Sequence, residues 1–276
     1  MIIFEIRDAY LKTREGADQT IGYLFYYEKS KRFFMELLPD LKEWEAPTLF
    51  YADVKKGNYS IDSARTMQWV RQRIIPSERQ NLGAVLRENN LKEYDEYKLL
   101  LCSEGRCAQD EEYILKMDVA KLPEVMQKRL SQNIKDVMFL FGNRFMVFFL
   151  DGTTRLISAD SLLKGRREFS HILENQELFS HGKVSPGGHG IEWDEERFIS
   201  ARELYASGKK TELGYDDLLL FARTRLMDTT EVTESLGISR QYVSQLIKQE
   251  RLKPILTGST IQFFTKASIE REDENK

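Results

Sequence analysis

The sequence predicts an α+β protein in three blocks: a mixed α+β domain over residues 1–120, a small antiparallel-sheet α+β domain over 130–207, and a helical segment with a hairpin over 213–276. Three observations carry the prediction. The opening residues hold strand-like apolar runs separated by a polar turn. Glycine dipeptides cut an aromatic stretch near residue 140 into short segments. Toward the C-terminus the apolar spacing changes to the three- and four-residue period of helices.

A chain of 276 residues can bury two or three cores, and its 41% apolar and 11% aromatic content suits folded rather than disordered material. The longest apolar runs, VMFLF and FMVFFL, fall well short of the roughly 18 residues a spanning helix needs. Glu5 places a charge too early for a secretory signal, and two cysteines with no targeting segment point to a reducing cytoplasm. The formal net charge of −3 excludes a global electrostatic case for nucleic acid, so any such case is local.

In the first block, MIIFEIRDAYL, TIGYLFYY and RFFMELL read as strands, the last two joined by EKSK. SARTMQWVRQRII places Met67, Val70 and Ile74 on one helical face and stops at Pro76. RQNLGAVLREN, with Leu82, Val85 and Leu86, and LKEYDEYKLLL read as two further helices. Arg65, Arg71, Arg73 and Arg79 lie within fifteen residues. They read as a solvated helix face paired with Glu78 and nearby acids; a phosphate or nucleic-acid contact is the alternative.

In the second block, DVMFLFGNRFMVFFLDGTTRLISA reads as a three-stranded meander, with Gly142-Asn143 and Asp151-Gly152 supplying the positive φ angles of tight turns. NQELFSH reads as a short helix, KVSPGGHGIEW as a hairpin with a glycine-rich tip, and SARELYASG as the closing helix. Through FLDGTTRLISADSLL, ENQELFSHGKV, HGIEW and ARELY, about seventy residues in all, the block resembles the bacterial family catalogued as domain of unknown function 2442. The resemblance implies a compact α+β module for interaction or regulation, some members having gene neighbourhoods like toxin–antitoxin pairs. It implies no catalytic residue.

The polar stretch ASGKKTELG reads as a linker. YDDLLLFARTRLM follows as a helix with Leu218, Leu219, Ala222 and Leu226 on one side. Next, Asp228 and Glu231 match a reciprocal capping arrangement, Val232 and Leu236 share a face, and Gly237 ends the helix. Ile238 tucks into the angle, Ser239 caps a second helix, and Val243, Leu246 and Ile247 form its buried stripe. Arg240, Gln241, Ser244, Gln245 and Lys248 then face outward, groups suited to base edges and phosphates. From Ser239 to Lys266 the bases Arg240, Lys248, Arg251, Lys253 and Lys266 face one acid, Glu250, a local balance of +4.

A hairpin with its tip at Thr257-Gly258-Ser259 and a last short helix from Ser268 follow; the acidic tail EREDENK reads as frayed. Over Asp228 to Glu270 this order resembles the winged helix-turn-helix of excisionases and mercury-resistance regulators. The resemblance implies a second helix in the major groove and a hairpin against a neighbouring backbone or minor groove. Thr233 departs from the alanine usual at its position, which bears on the details of docking. An ordinary helical hairpin with a solvated charged face is the plainer alternative.

The remaining signals are weaker. Cys102 and Cys107 are spaced wrongly for a zinc site and have no second pair, so they read as unrelated thiols, with a regulatory disulfide as the alternative. His171, His181 and His189 with Asp194, Glu195 and Glu196 lack metal-ligand spacing. SPGGHG precedes a strand, not the helix N-terminus a phosphate loop needs, and there is no GxSxG; nothing argues for an enzyme or a cofactor. The expectation is a DNA-binding transcriptional regulator, cytoplasmic and homodimeric. Its contacts would be Ser239, Arg240, Gln241, Ser244, Gln245, Lys248, Arg251 and Lys253, and its front domains would dimerise or sense a signal. The alternative is an antitoxin-like module that holds a protein partner through its middle domain and binds DNA secondarily.

Overall fold

The structure is a computed structural model that describes residues 1–194, 196–258 and 261–273. It is α+β, with antiparallel sheets throughout, and divides into two compact units, 1–124 and 125–276. The blocks expected at 130–207 and 213–276 thus share one unit, each with its own apolar cluster.

In the first unit β1 (Ile2–Lys12), β2 (Asp18–Tyr27), β3 (Arg32–Leu37), β4 (Ser60–Ile61) and β5 (Glu112–Met117) form one sheet in the order β4-β3-β2-β1-β5. The three opening strands lie where the sequence predicts them; β5, paired along β1 from Ile3 to Asp8, was not foreseen. Helices α1 (Tyr51–Lys55), α2 (Ser63–Arg71), α3 (Leu82–Glu88) and α4 (Glu96–Cys102) accompany it. Trp69, Val70, Leu99 and Leu100 pack with Phe4, Leu24, Phe33 and Met35 in the core.

The arginine cluster departs from the expected solvated face. Arg71 and Arg79 are exposed, but Arg73 is buried: its guanidinium lies 3.7 Å from the Trp69 ring centre, 2.7 Å from Asp110 and in an ion pair with Glu112. The Trp69 indole N–H also donates to Glu112, at 2.7 Å. A guanidinium withdrawn from water needs such partners, and its stacking on indole suits its weak hydration. Desolvation pushes the Glu112 carboxyl up to about 7, against the pull of Arg73. Arg65 is tied to Asp53 and the Leu49 carbonyl, so the four arginines do not converge on one ligand. Cys102 and Cys107 are free thiols.

In the second unit, α5 (Glu124–Ser131) leads into the meander β6 (Ile134–Leu140), β7 (Arg144–Phe149) and β8 (Thr154–Ser158). Gly142 and Asn143 both take positive φ, as the first turn predicts. At the second turn only Gly152 does, because the Asp151 carboxylate accepts from the Thr153 N–H (2.9 Å) and hydroxyl (2.7 Å) and shapes the turn through its side chain. Short helices α6 (Ala159–Leu162), α7 (Ser170–Leu173) and α8 (Gln176–Ser180) follow. A small sheet of β9 (Lys183–Val184), β10 (Gly190–Glu192) and β11 (Phe198–Ser200), then α9 (Ala201–Ser207), completes this part. Phe139, Phe145, Phe179 and Trp193 form its aromatic core through edge-on and tilted contacts. The glycine-rich tip has a packing reason: a Cβ on Gly188 would lie 2.2 Å from the Ile134 carbonyl oxygen, and its φ is +72°.

Two expectations are corrected beyond α9. Part of the supposed linker is sheet: β12 (Lys209–Lys210) pairs with β8, extending the order to β12-β8-β7-β6. The next helix, α10 (Tyr215–Arg225), turns a different side inward. Leu218 and Leu219 are 53% and 38% exposed, Ala222 is exposed, and Leu226 belongs to the following strand. Phe221 and Arg225 face the meander instead, Phe221 edge-on to Phe148 and Arg225 bonded to buried Asp136. The sheet is therefore covered on both faces, by the aromatic core on one side and by Met138, Met146, Phe148 and Phe221 on the other. Hence VMFL and FMVFF run apolar without alternation, whereas Phe141 lies past the end of β6 and is exposed.

Candidate nucleic-acid interface

Residues 226–273 build a compact element from β13 (Leu226–Asp228), α11 (Thr229–Leu236), α12 (Arg240–Lys248), β14 (Leu256–Thr257), β15 (Gln262–Thr265) and α13 (Lys266–Asp273). The strands form an antiparallel sheet in the order β13-β15-β14. Asp228 accepts from the N–H groups of Thr230 (2.7 Å) and Glu231 (2.9 Å), and Glu231 accepts from the Asp228 N–H at 2.8 Å. Both partners of the predicted capping box are in place.

Gly237 stops α11 in the left-handed region, φ 59° and ψ 36°. The Ser239 hydroxyl accepts from the Tyr242 N–H at 3.2 Å and starts α12. Val232, Leu236, Val243, Leu246, Leu252, Phe264 and Ile269 close into one buried cluster, with Ile238 and Ile247 packed against it. Thr233, at the departing position, is half-buried and its hydroxyl donates to the Thr230 carbonyl at 2.7 Å, so its polar atom is satisfied within α11.

With Val243 and Leu246 pinned, the other side of α12 is fixed in direction. Ser239, Arg240, Gln241, Ser244, Gln245 and Lys248 are all exposed on it or at its start, and Arg251 and Lys253 are exposed just beyond. The structure thus gathers the eight named residues on the second helix and the segment after it. Besides Ser239, whose hydroxyl caps α12, three are partly committed. Arg240 donates to the Thr230 hydroxyl at 3.1 Å, Ser244 donates to the Arg240 carbonyl at 3.1 Å, and Arg251 forms an ion pair with Glu272 of α13. Lys253 lies 3.9 Å from Glu250 with both side chains largely in solvent, a weak pairing.

Sequence reasoning missed Tyr242, 44% exposed in the first turn of α12, whose position beside Gln241 was the available signal. It also missed that β14 and its flanks display Ile255 (54%), Leu256 (61%) and Ile261 (50%). The expected hairpin tip at Ser259 and residues 274–276 of the acidic tail lie outside the described residues; Glu270 to Asp273, expected to fray, instead complete α13, with Glu272 buried in its ion pair with Arg251. In the second unit His171 and His181 are exposed while His189 is buried, and Glu195 lies outside the described residues. Among the described residues no three His, Cys, Asp or Glu side chains group as a metal site. Among them, too, no helix is long and apolar enough to cross a membrane.

No family model, curated protein or solved structure matches the chain. Its resemblances therefore rest on the residues quoted above.

Proposed function

We propose that residues 228–270 are a winged helix-turn-helix and that the protein is a sequence-specific DNA-binding transcriptional regulator. The observation that carries this reading is the outward side of α12: Arg240, Gln241, Ser244, Gln245 and Lys248 exposed together on a helix locked against α11 through Gly237. Arginine matches guanine bidentately and glutamine matches adenine, while serine and lysine reach phosphates. The β14–β15 hairpin would serve as the wing. One such element reads only a few base pairs, so the reading includes a homodimer on half-sites about one helical turn apart. Binding of labelled operator fragments, recovered from a genomic library, should be sequence-preferring and should weaken steeply with salt. Equal affinity for all fragments would contradict it.

An antitoxin-like role for the second unit has one supporting observation. Phe141, at the β6–β7 turn, is 85% exposed, and Leu150, at the β7–β8 turn, is 54% exposed. Apolar side chains at turn tips suit a protein partner. A stoichiometric partner retained after deletion of residues 209–276 would favour this reading; loss of all partners in both forms would dismiss it.

A further inference from the structure

Helix α10 has two apolar sides, and only one of them is covered. Phe221 meets Phe148 and Arg225 meets Asp136 on the inner side. At about 100° per residue, Tyr215, Leu219, Leu220 and Ala222 all turn away from Phe221. Tyr215 is 75% exposed, Leu219 and Leu220 are 38% exposed, and Ala222 is exposed. Leu218, at the edge of this surface, lines a hollow with Leu213 and Ile255, and all three are exposed. Contiguous apolar surface of this kind is rare on a monomeric protein and marks a contact.

The charges of the helix say what covers it. Two of the four are used within the chain: Asp217 accepts from the Gly214 N–H at 2.9 Å, and Arg225 holds Asp136. The other two, Asp216 and Arg223, are exposed, and their side chains have no partner among the described residues. They stand seven residues apart, two turns, and so share one side of the helix between Leu219 and Leu220. The helix dipole favours an acid at the start and a base at the end, but it is indifferent to the side on which each stands. A second α10 laid antiparallel answers both features. A two-fold axis midway along the helix, at Leu219 and Leu220, sets each Asp216 opposite the partner's Arg223. Such self-complementarity is what an interface between two copies of one chain requires.

We infer that the exposed side of α10 is the surface through which two copies of this chain pair, helix against antiparallel helix. Leu219 and Leu220 form the centre, and Asp216 with the partner's Arg223 closes each end. A stable dimer buries roughly 800 Å² per partner, more than one helix of about 16 Å supplies, so the contact extends over Leu213, Leu218 and Ile255. The inference rests on the DNA-binding reading only in expecting a homodimer, and it names the surface that makes it. Because β13 leads directly from α10 into α11, the same axis would relate the two copies of α12.

Sedimentation equilibrium on the intact protein, at micromolar concentration and without DNA, tests it. Wild-type protein should give the mass of two chains. Leu219→Lys, at an exposed site, should give monomers with an unchanged circular dichroism spectrum. Arg223→Asp sets acid against acid at both ends and should weaken the dimer tenfold or more. Adding Asp216→Arg restores opposite charges and should recover most of that loss, which a role confined to one chain would not. A monomeric wild type, a dimer indifferent to Leu219→Lys, or a charge-exchanged variant no tighter than Arg223→Asp would each overturn the inference. A dimer of the expected behaviour that binds all DNA fragments equally would instead overturn the DNA-binding reading alone.

Discussion

The eight exposed polar residues on and after α12 do not carry equal weight. The Gln241 side chain is exposed and has no hydrogen-bond partner among the described residues, while Arg240 spends one of its five N–H donors on Thr230 and keeps the rest. Replacing Arg240 and Gln241 together with Ala should relax specificity at one or two base positions by about 1–3 kcal/mol each. Competition binding against single-base operator variants reads this directly. Lys253→Ala should weaken every sequence alike and lower the salt slope by about 1. Arg251 differs from both. Its pairing with the buried Glu272 ties the segment after α12 to α13, so Arg251→Ala should lower the unfolding midpoint as well as DNA affinity. A fall in affinity with unchanged stability would show that the ion pair is immaterial.

Elements differ in how far their own residues decide them. The α11–α12 pair was legible because its signals are local: an Asp cap with Glu three residues on, a glycine stop, a serine cap, and apolar residues three and four apart. Helix α10 was legible as a helix but not in its facing. Its inward side is set by Asp136, 89 residues earlier, and by Phe148, neither of which leaves a trace in its own periodicity. Strand β12 was hidden for a related reason, since two lysines carry little strand propensity and pair with β8 only because the sheet edge is there. Two glycines test this contrast between local and distant causes. Gly237→Ala should cost about 1–2 kcal/mol through its left-handed backbone alone, and Gly237→Asn less. Gly188→Ala adds a collision with the Ile134 carbonyl to the same backbone penalty, and should cost about 3 kcal/mol or more. Urea midpoints of the three variants give the ranking; equal losses would contradict it.

For the whole molecule, the α+β class and the order of most elements followed from the sequence, whereas its buried charges did not. Arg73 and Glu112 are 39 residues apart and meet only because β5 pairs with β1 beside the end of α2, so no local pattern announces either as buried. Their burial has a pH signature. A Glu112 carboxyl raised to about 7 holds its proton in the folded state across a range where the unfolded chain has released it. Its contribution to stability is full below about pH 4.5, the ordinary value, and is lost as pH rises through about 7. Between pH 5 and 8 wild-type protein should therefore lose more stability than Glu112→Gln, whose amide oxygen can still accept from Trp69. Parallel curves would contradict the burial argument. At pH 8, where Glu112 is ionised, Arg73→Met should cost several kcal/mol, about 3–5, by leaving that carboxylate buried beside Asp110 without its cation, and less at pH 5.

The central claim is that the outward side of α12 reads base edges, and it bears on the molecule in its assembled form. The most direct test is selection of bound sequences from a random DNA pool by the intact protein, repeated with the Arg240→Ala, Gln241→Ala double variant. Wild-type protein should select a two-fold related motif with half-sites about 10 base pairs apart centre to centre. The double variant should lose preference at defined positions within each half. Recovery of no motif by the wild type, or the same motif from both proteins, would contradict it.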